Sequence, residues 1–213
     1  MPKDTCPPIA ARIDCGMPRH SFVRFVIIAV VATIVAHLLD PWAWQHLRNP
    51  EVHERDWGRA LRVMGFLPLW LLLAAALWLH TDNFRRAAWL AFTPALGGLI
   101  AEVIKLLVRR ERPNLHDGAY VFRPFADQLL SSKAMGVPSS HALVAFAAAW
   151  LLCRYYPRAS VIWVALATGC ALTRVLAGAH FVSDVVVAAA VAWLLVGMVW
   201  HRTSLSADFA PTA

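Results

Sequence analysis

Apolar residues fall into six long blocks along this chain, at 22–39, 63–80, 87–108, 139–155, 160–178 and 184–201, with short polar gaps between them. Each block is near the ~20 residues that a helix needs to cross a hydrocarbon core. Backbone groups find no water there, so helix is the predicted state of every block. The pattern predicts an all-α polytopic membrane protein, a bundle of six transmembrane helices over 21–202. Polar, proline-punctuated residues 1–20 and residues 203–213 are expected as flexible tails.

The gaps refine this layout. The first block lacks a small-residue cleavage site, so it is expected to be an uncleaved first helix. In the gap 40–62, Trp57, Leu61 and Met64 repeat at i, i+4 and i+7. That spacing suits a short helix lying in the membrane interface; an irregular loop into the second span is the alternative. Pro94, Gly97 and Gly98 in the third block suggest a bend or close helix packing. The two tightest loops, 81–86 and 154–159, carry Arg85 with Arg86 and Arg154 with Arg158. Positive residues on short loops favour the cytoplasmic side, which puts the N-terminus inside.

Composition adds two limits. At 59% hydrophobic, the chain exceeds the roughly 45–50% apolar content of a soluble domain, and its ten tryptophans suit two membrane interfaces. The formal charge of +7 sits largely in the gaps, which points to lipid headgroups or an anionic substrate and away from nucleic acid. Cys6, Cys15, Cys153 and Cys170 form no CxxC pair and no metal-ligand spacing, so they are expected to be incidental thiols.

Three polar clusters lie at the ends of the blocks. The first runs from Lys105 to Pro113 (KLLVRRERP). Lys105 and Arg112 are seven apart, so on a continuous helix they share a face and can grip a dianion, with Pro113 as the stop. A basic membrane flank, including Arg109 and Arg110, is the plainer reading. The second cluster is Pro138-Ser139-Ser140-His141. It reads as an ordinary helix start, yet such a start offers free N–H groups and a positive dipole end to a phosphate. His141 there can pass a proton near neutral pH. The third runs from Thr173 to Asp184 (TRVLAGAHFVSD). His180 and Asp184, four apart, suit a carboxylate that orients an imidazole and frees its other nitrogen to attack. A helix cap is the plainer alternative. Six spans would put all three clusters on one side of the membrane.

Together the clusters resemble the signature of the type 2 phosphatidic acid phosphatase family: Lys-x6-Arg-Pro, Pro-Ser-Gly-His, and Ser-Arg-x5-His-x3-Asp. Lys105, Arg112 and Pro113 match the first part, Pro138, Ser139 and His141 the second, and Arg174, His180 and Asp184 the third. Ser140 stands where the family has glycine and Thr173 where it has serine. The resemblance implies that His180 attacks phosphorus and forms a phosphohistidine, oriented by Asp184. It implies that His141 protonates the leaving alkoxide and then assists water. Lys105, Arg112, Arg174, Ser139 and the Ser139–Ser140 amides would bind the phosphate, with no metal or other cofactor. Ser140 adds a side chain that would disfavour a positive φ if one were needed there.

The implied protein is an integral membrane lipid phosphatase acting on a phosphomonoester or pyrophosphate in the bilayer. Its expected setting is a bacterial inner membrane, with the site toward the periplasm or exterior. Candidate substrates are polyprenyl pyrophosphate, phosphatidylglycerol phosphate, phosphatidic acid and the phosphates of lipid A. A lipid phosphotransferase with the same intermediate, and an anion-binding or transport protein without catalysis, are the rivals. Residues 114–137 are expected to shape the entrance. Glu102, one turn below Lys105, reads as a packing or salt-bridge partner, and His37 and His80 receive no role.

Overall fold

The computed structural model describes residues 19–202, so Cys6, Cys15, the expected tail over 203–213 and all but the end of the N-terminal tail lie outside the described residues. Seven α-helices follow in order: α1 (Arg19–Leu47), α2 (Asp56–Val63), α3 (Leu67–Thr81), α4 (Phe84–Val108), α5 (Ser140–Tyr155), α6 (Ser160–Leu176) and α7 (Val182–Arg202). A long loop joins α4 to α5, pinned by isolated antiparallel bridges between Arg110 and Phe122 and between Glu111 and Met135.

Four segments are long and apolar enough to cross a membrane: Phe22–Leu47, Phe84–Val108, Pro157–Leu176 and Val182–Trp200. The α2–α3 pair makes a fifth if its 63° bend lies within one span. This is the architecture of an integral membrane protein, but the predicted six spans reduce to four or five by length. The missing one is α5, with only 16 residues. Its position explains why it can be short. It packs against α4, α6 and α7, and Ala142 through Ala149 are all buried. A helix apolar all round is a core helix, shielded by its neighbours. Small residues allow the close approach: a Cβ on Gly97 would lie 2.7 Å from Leu143 Cδ2 and 3.3 Å from Ala147 Cβ.

Two boundaries differ from expectation in ways that build the site. The first apolar block stops at 39, but α1 runs on through Asp40 and Pro41 to Leu47. Pro41 cannot donate to the His37 carbonyl one turn back, and the Tyr120 hydroxyl, which donates to Asp40 at 2.7 Å, lies 3.5 Å from that oxygen. A short helix, as expected around Trp57, is present as α2. It lies against α6, where a Cβ on Gly169 would meet Leu61 at 2.8 Å. The α2–α3 elbow then sits on the start of α5: a Cβ on Gly65 would fall 2.7 Å from His141 Cβ.

Candidate active site

The C-terminal ends of α4 and α6 meet the N-terminal ends of α5 and α7 at one end of the bundle. The three clusters therefore come together, as the alternation of helix directions requires. Ser139 N–H donates to the Asp184 carbonyl at 3.3 Å, and Gly136 N–H donates to the Arg110 carbonyl at 2.7 Å. These bonds tie the second cluster to the third and the first.

His180 follows α6 and is buried. Its Nδ1 lies 3.0 Å from the Gly136 carbonyl and 3.4 Å from Asp184 Oδ2. A carbonyl can only accept, so Nδ1 carries the proton and Nε2 holds the lone pair. Burial pushes the His180 pKa below the ordinary histidine value; Asp184 opposes this shift, and Arg174 and Arg112 add to it. The neutral imidazole is thus favoured at neutral pH. Asp184 itself is fully buried, and its Oδ2 also accepts from Phe181 N–H at 2.9 Å. It therefore caps α7 and faces His180 at once.

The first cluster departs from expectation. Lys105 and Arg112 do not share a helix face, because α4 ends at Val108 and Arg112 has an extended backbone (φ −71°, ψ 145°). The stop comes from Arg109, not Pro113: Arg109 takes a left-handed conformation at φ 58°. Its buried guanidinium repays that strain by donating to the carbonyls of Arg123 (3.1 Å), Pro124 (3.0 Å), Leu129 (3.3 Å) and Asp127. Arg109 folds the entrance loop around itself. The sequence offers no sign of this, since its acceptors are backbone oxygens. Arg112 returns to the site by this fold, near enough to Lys105, Arg174 and His180 for its charge to act on each.

Lys105 donates to Glu102 Oε1 at 2.7 Å and to Ser140 Oγ, while Ser140 Oγ donates to the same Glu102 oxygen at 2.7 Å. Glu102 is the salt-bridge partner expected. Ser140 lies in the first turn of α5, so the family's glycine position needs no positive φ here. Its hydroxyl instead joins Lys105 to Glu102.

Ser139 caps α5, its Oγ accepting from Ala142 N–H at 3.4 Å, and Pro138 precedes the cap rather than opening the helix. Ser139 N–H is already given to the Asp184 carbonyl. The Ser139 Oγ is used as an acceptor, which leaves the hydroxyl proton available to an anion. The open amides of this helix start are those of Ser140 and His141. Thr173 likewise turns its hydroxyl to the Cys170 carbonyl at 2.7 Å. Arg174 is buried with Nη1 3.2 Å from His53 Nε2, and its Nε–H has no hydrogen-bond partner. Burial, with the charges of Arg174 and Arg62, holds His53 below the ordinary histidine pKa. His53 was not expected here; a lone histidine in a polar gap carries no signal of its own.

A cleft of about 530 Å³ opens beside His141, lined also by Arg59, Arg62, Val63 and Phe66. It offers cations and apolar surface side by side. On the far side of Asp184 lies a second polar group that the sequence did not reveal. Arg110 donates to Asp184 Oδ1 and, at 2.8 Å, to Ser183 Oγ. Asp40 accepts from Ser183 N–H at 3.0 Å, Ser183 Oγ at 2.5 Å and Tyr120 Oη at 2.7 Å.

Comparison with known proteins agrees with this arrangement. The model of the PAP2 superfamily matches residues 86–206, which contain all three clusters. Over 131 residues the chain is 38% identical to a lipid A 1-phosphatase of Rhizobium johnstonii and 36% identical to a lipid A 1-phosphatase of Rhizobium etli. The matched stretch is 58% of this chain and 52% and 54% of those relatives, so the chain spans about half the length of the curated relatives it matches. The fold is similar to the crystal structure of a transmembrane PAP2 type phosphatidylglycerolphosphate phosphatase from Bacillus subtilis, with TM-score 0.60 and 20% identity over 90% of this chain and 96% of that one. At that identity the likeness concerns the fold alone. A family model that covers more than half of the sequence, and a shared helical fold that gathers the family's three polar clusters at one end, establish that this chain belongs to the PAP2 superfamily.

Proposed function

We propose that this protein is an integral membrane lipid phosphatase that works through a phosphohistidine on His180. The observation that carries this reading is the pose of His180. Its Nδ1–H is held by the Gly136 carbonyl at 3.0 Å with Asp184 behind it, beside the open start of α5 and three cations.

In the first step His180 Nε2 attacks phosphorus and the bond from phosphorus to the lipid oxygen breaks. His141 gives its proton to that oxygen, and Asp184 balances the positive imidazole ring. In the second step His141 takes a proton from water, the water oxygen attacks phosphorus, and the P–N bond breaks to release phosphate. Arg112, Arg174 and the Ser140 and His141 amides stabilise the charge that builds on the phosphoryl oxygens. The unpartnered Arg174 Nε–H is a donor suited to one of them. Lys105 has three N–H groups, of which Glu102 and Ser140 use two.

The cleft beside His141 suits a substrate with an anionic head and an apolar body. Lipid A carrying a 1-phosphate is the first candidate, on the strength of the 38% identical relative. Residues 21–202 form the phosphatase domain. In this reading α5 and the α2–α3 pair complete six crossing segments. The site faces the periplasm or exterior of a bacterial inner membrane. Arg85, Arg86, Arg154 and Arg158 lie at the opposite end of the bundle, which favours that end as cytoplasmic.

The test is phosphate release in detergent from lipid A, phosphatidylglycerol phosphate, phosphatidic acid and a polyprenyl pyrophosphate, without added metal. Wild type should turn over at least one of them, and His180→Ala none, with unchanged thermal melting. Equal release by the variant would sink the mechanism.

A further inference from the structure

The polar group behind Asp184 draws two of its members, Asp40 and His37 of α1, from outside the family-matched residues 86–206. Arg110, Asp40, Ser183 and Asp184 are all buried, the last three with 1% exposure or less. The Arg110 guanidinium lies over the adjoining rings of Tyr120 and Phe181, 5.1 Å from each centroid. Its Nη1 meets His37 Nε2 at 3.2 Å, while His37 Nδ1 donates to the Thr33 carbonyl at 2.9 Å. An arginine of a basic membrane flank would reach for headgroups or water. This one is enclosed, and its two terminal nitrogens are aimed at α1 and α7.

Ionisable groups are costly at such depth and need a reason. Asp184 Oδ2 already serves Phe181 N–H and faces His180, so Arg110 is what holds Oδ1. Ser183 hands the same guanidinium on to Asp40, whose carboxylate also caps the start of α7. A planar fork bridging two groups fixes angle as well as distance, which a point charge cannot do. We infer that Arg110, seated by Asp40 of α1 through Ser183, is a positioning residue that fixes the Asp184 carboxylate against His180, so that α1 takes part in the reaction. The inference rests on the phosphatase reading of the same site.

The consequence is testable through charge. Attack requires neutral His180, which is faced by Asp184 from α7, Arg174 from α6, His141 from α5 and Arg112 from the loop after α4, with Arg110 of that loop behind Asp184. Lys105 of α4 faces His141, and Asp40 and His37 of α1 face Arg110. Arg110→Gln removes a cation, so the acid limb of kcat/KM should move up by on the order of half to one pH unit. Asp40→Asn removes an anion and should move the limb the other way or leave it in place. Both variants should lose roughly 10- to 100-fold in kcat, as groups that orient a reacting ligand do, with KM changed less than about threefold. Ser183→Thr, which keeps the hydroxyl, should retain more activity than Ser183→Ala.

These variants are to be assayed as full chains in detergent beside wild type and His180→Ala on one lipid phosphate, with melting temperatures measured. If Arg110→Gln keeps the wild-type kcat and acid limb while His180→Ala is dead, the inference is overturned and the phosphatase reading stands. If activity is lost but the limb does not move, the residue is merely structural and the inference is again overturned. If Arg110→Gln does not fold, Asp40→Asn and the Ser183 pair decide by the kcat loss and the rescue. Activity in His180→Ala would remove the reading and the inference together.

Discussion

Arg109 and Arg110 sit side by side after α4, three and two residues before Arg112 and far along the chain from Arg174, and the two pairs have different surroundings. Arg109 donates to four backbone carbonyls, and the two terminal nitrogens of Arg110 meet two α7 side chains and His37, with only its Nε–H left over among the described residues. Arg112 makes one long side-chain bond, to the Met135 carbonyl at 3.4 Å, and Arg174 leaves Nε–H without a partner. The terminal nitrogens of the first pair are spent on the protein, while the second pair keeps terminal donors for something else. In a basic segment it is the saturation of each cation that separates scaffold from ligand site.

The sharpest way to break this comparison is to remove one cation of each kind. Arg174→Gln should cost on the order of 10²- to 10³-fold in kcat, the range for one lost donor to a charged transition state, with melting temperature almost unchanged. Steady-state phosphate release with a melting curve checks both halves. Arg109→Gln should do the reverse. It strands several buried carbonyls, so it should destabilise the fold by about 2–3 kcal/mol and loosen the entrance loop. Denaturant unfolding in detergent, together with proteolysis of residues 114–137, measures that.

A smaller effect concerns pH. Attack needs neutral His180, and burial lowers its pKa from 6.5, with Arg174 and Arg112 adding to the shift. Activity should therefore persist as pH falls to 6.5 and be lost only below it, once the ring protonates. The acid limb of a kcat/KM profile on a substrate with no ionisation in that range reports this directly. Replacing Arg174 or Arg112 by a neutral residue should bring the limb back up toward 6.5. The smallest expected effect is at Ser140. Ser140→Gly removes the bridge between Lys105 and Glu102 but leaves the α5 amides in place, so kcat/KM should change only several-fold, about 1 kcal/mol.

The signature residues were legible because their spacing within each cluster is local. Four residues from His180 to Asp184 put both at one helix start, whatever else the chain does. The apolar blocks were legible for a similar reason, and every one of them contains a helix. What the sequence hid depends on distant partners. Asp40 followed by Pro41 looks like the polar end of a span, yet α1 continues to Leu47 with Asp40 buried against Ser183 and Tyr120. Arg109 and Arg110 look like a membrane flank because their acceptors lie elsewhere in the chain. Gly65 is unremarkable until His141 is set against it, 2.7 Å from where its Cβ would be. Lys105 and Arg112 show the opposite failure: a spacing that is regular on a helix means nothing once Arg109 ends the helix between them.

The central claim is that His180 carries the phosphoryl group, and trapping it is the most direct test. Wild type should be mixed with a lipid substrate labelled in its phosphate, quenched in alkali within one turnover, and mapped by peptide. The account predicts an acid-labile, alkali-stable label on the peptide holding His180, absent from His180→Ala. Label on another residue, or phosphate release at the wild-type rate with no labelled His180, would contradict it.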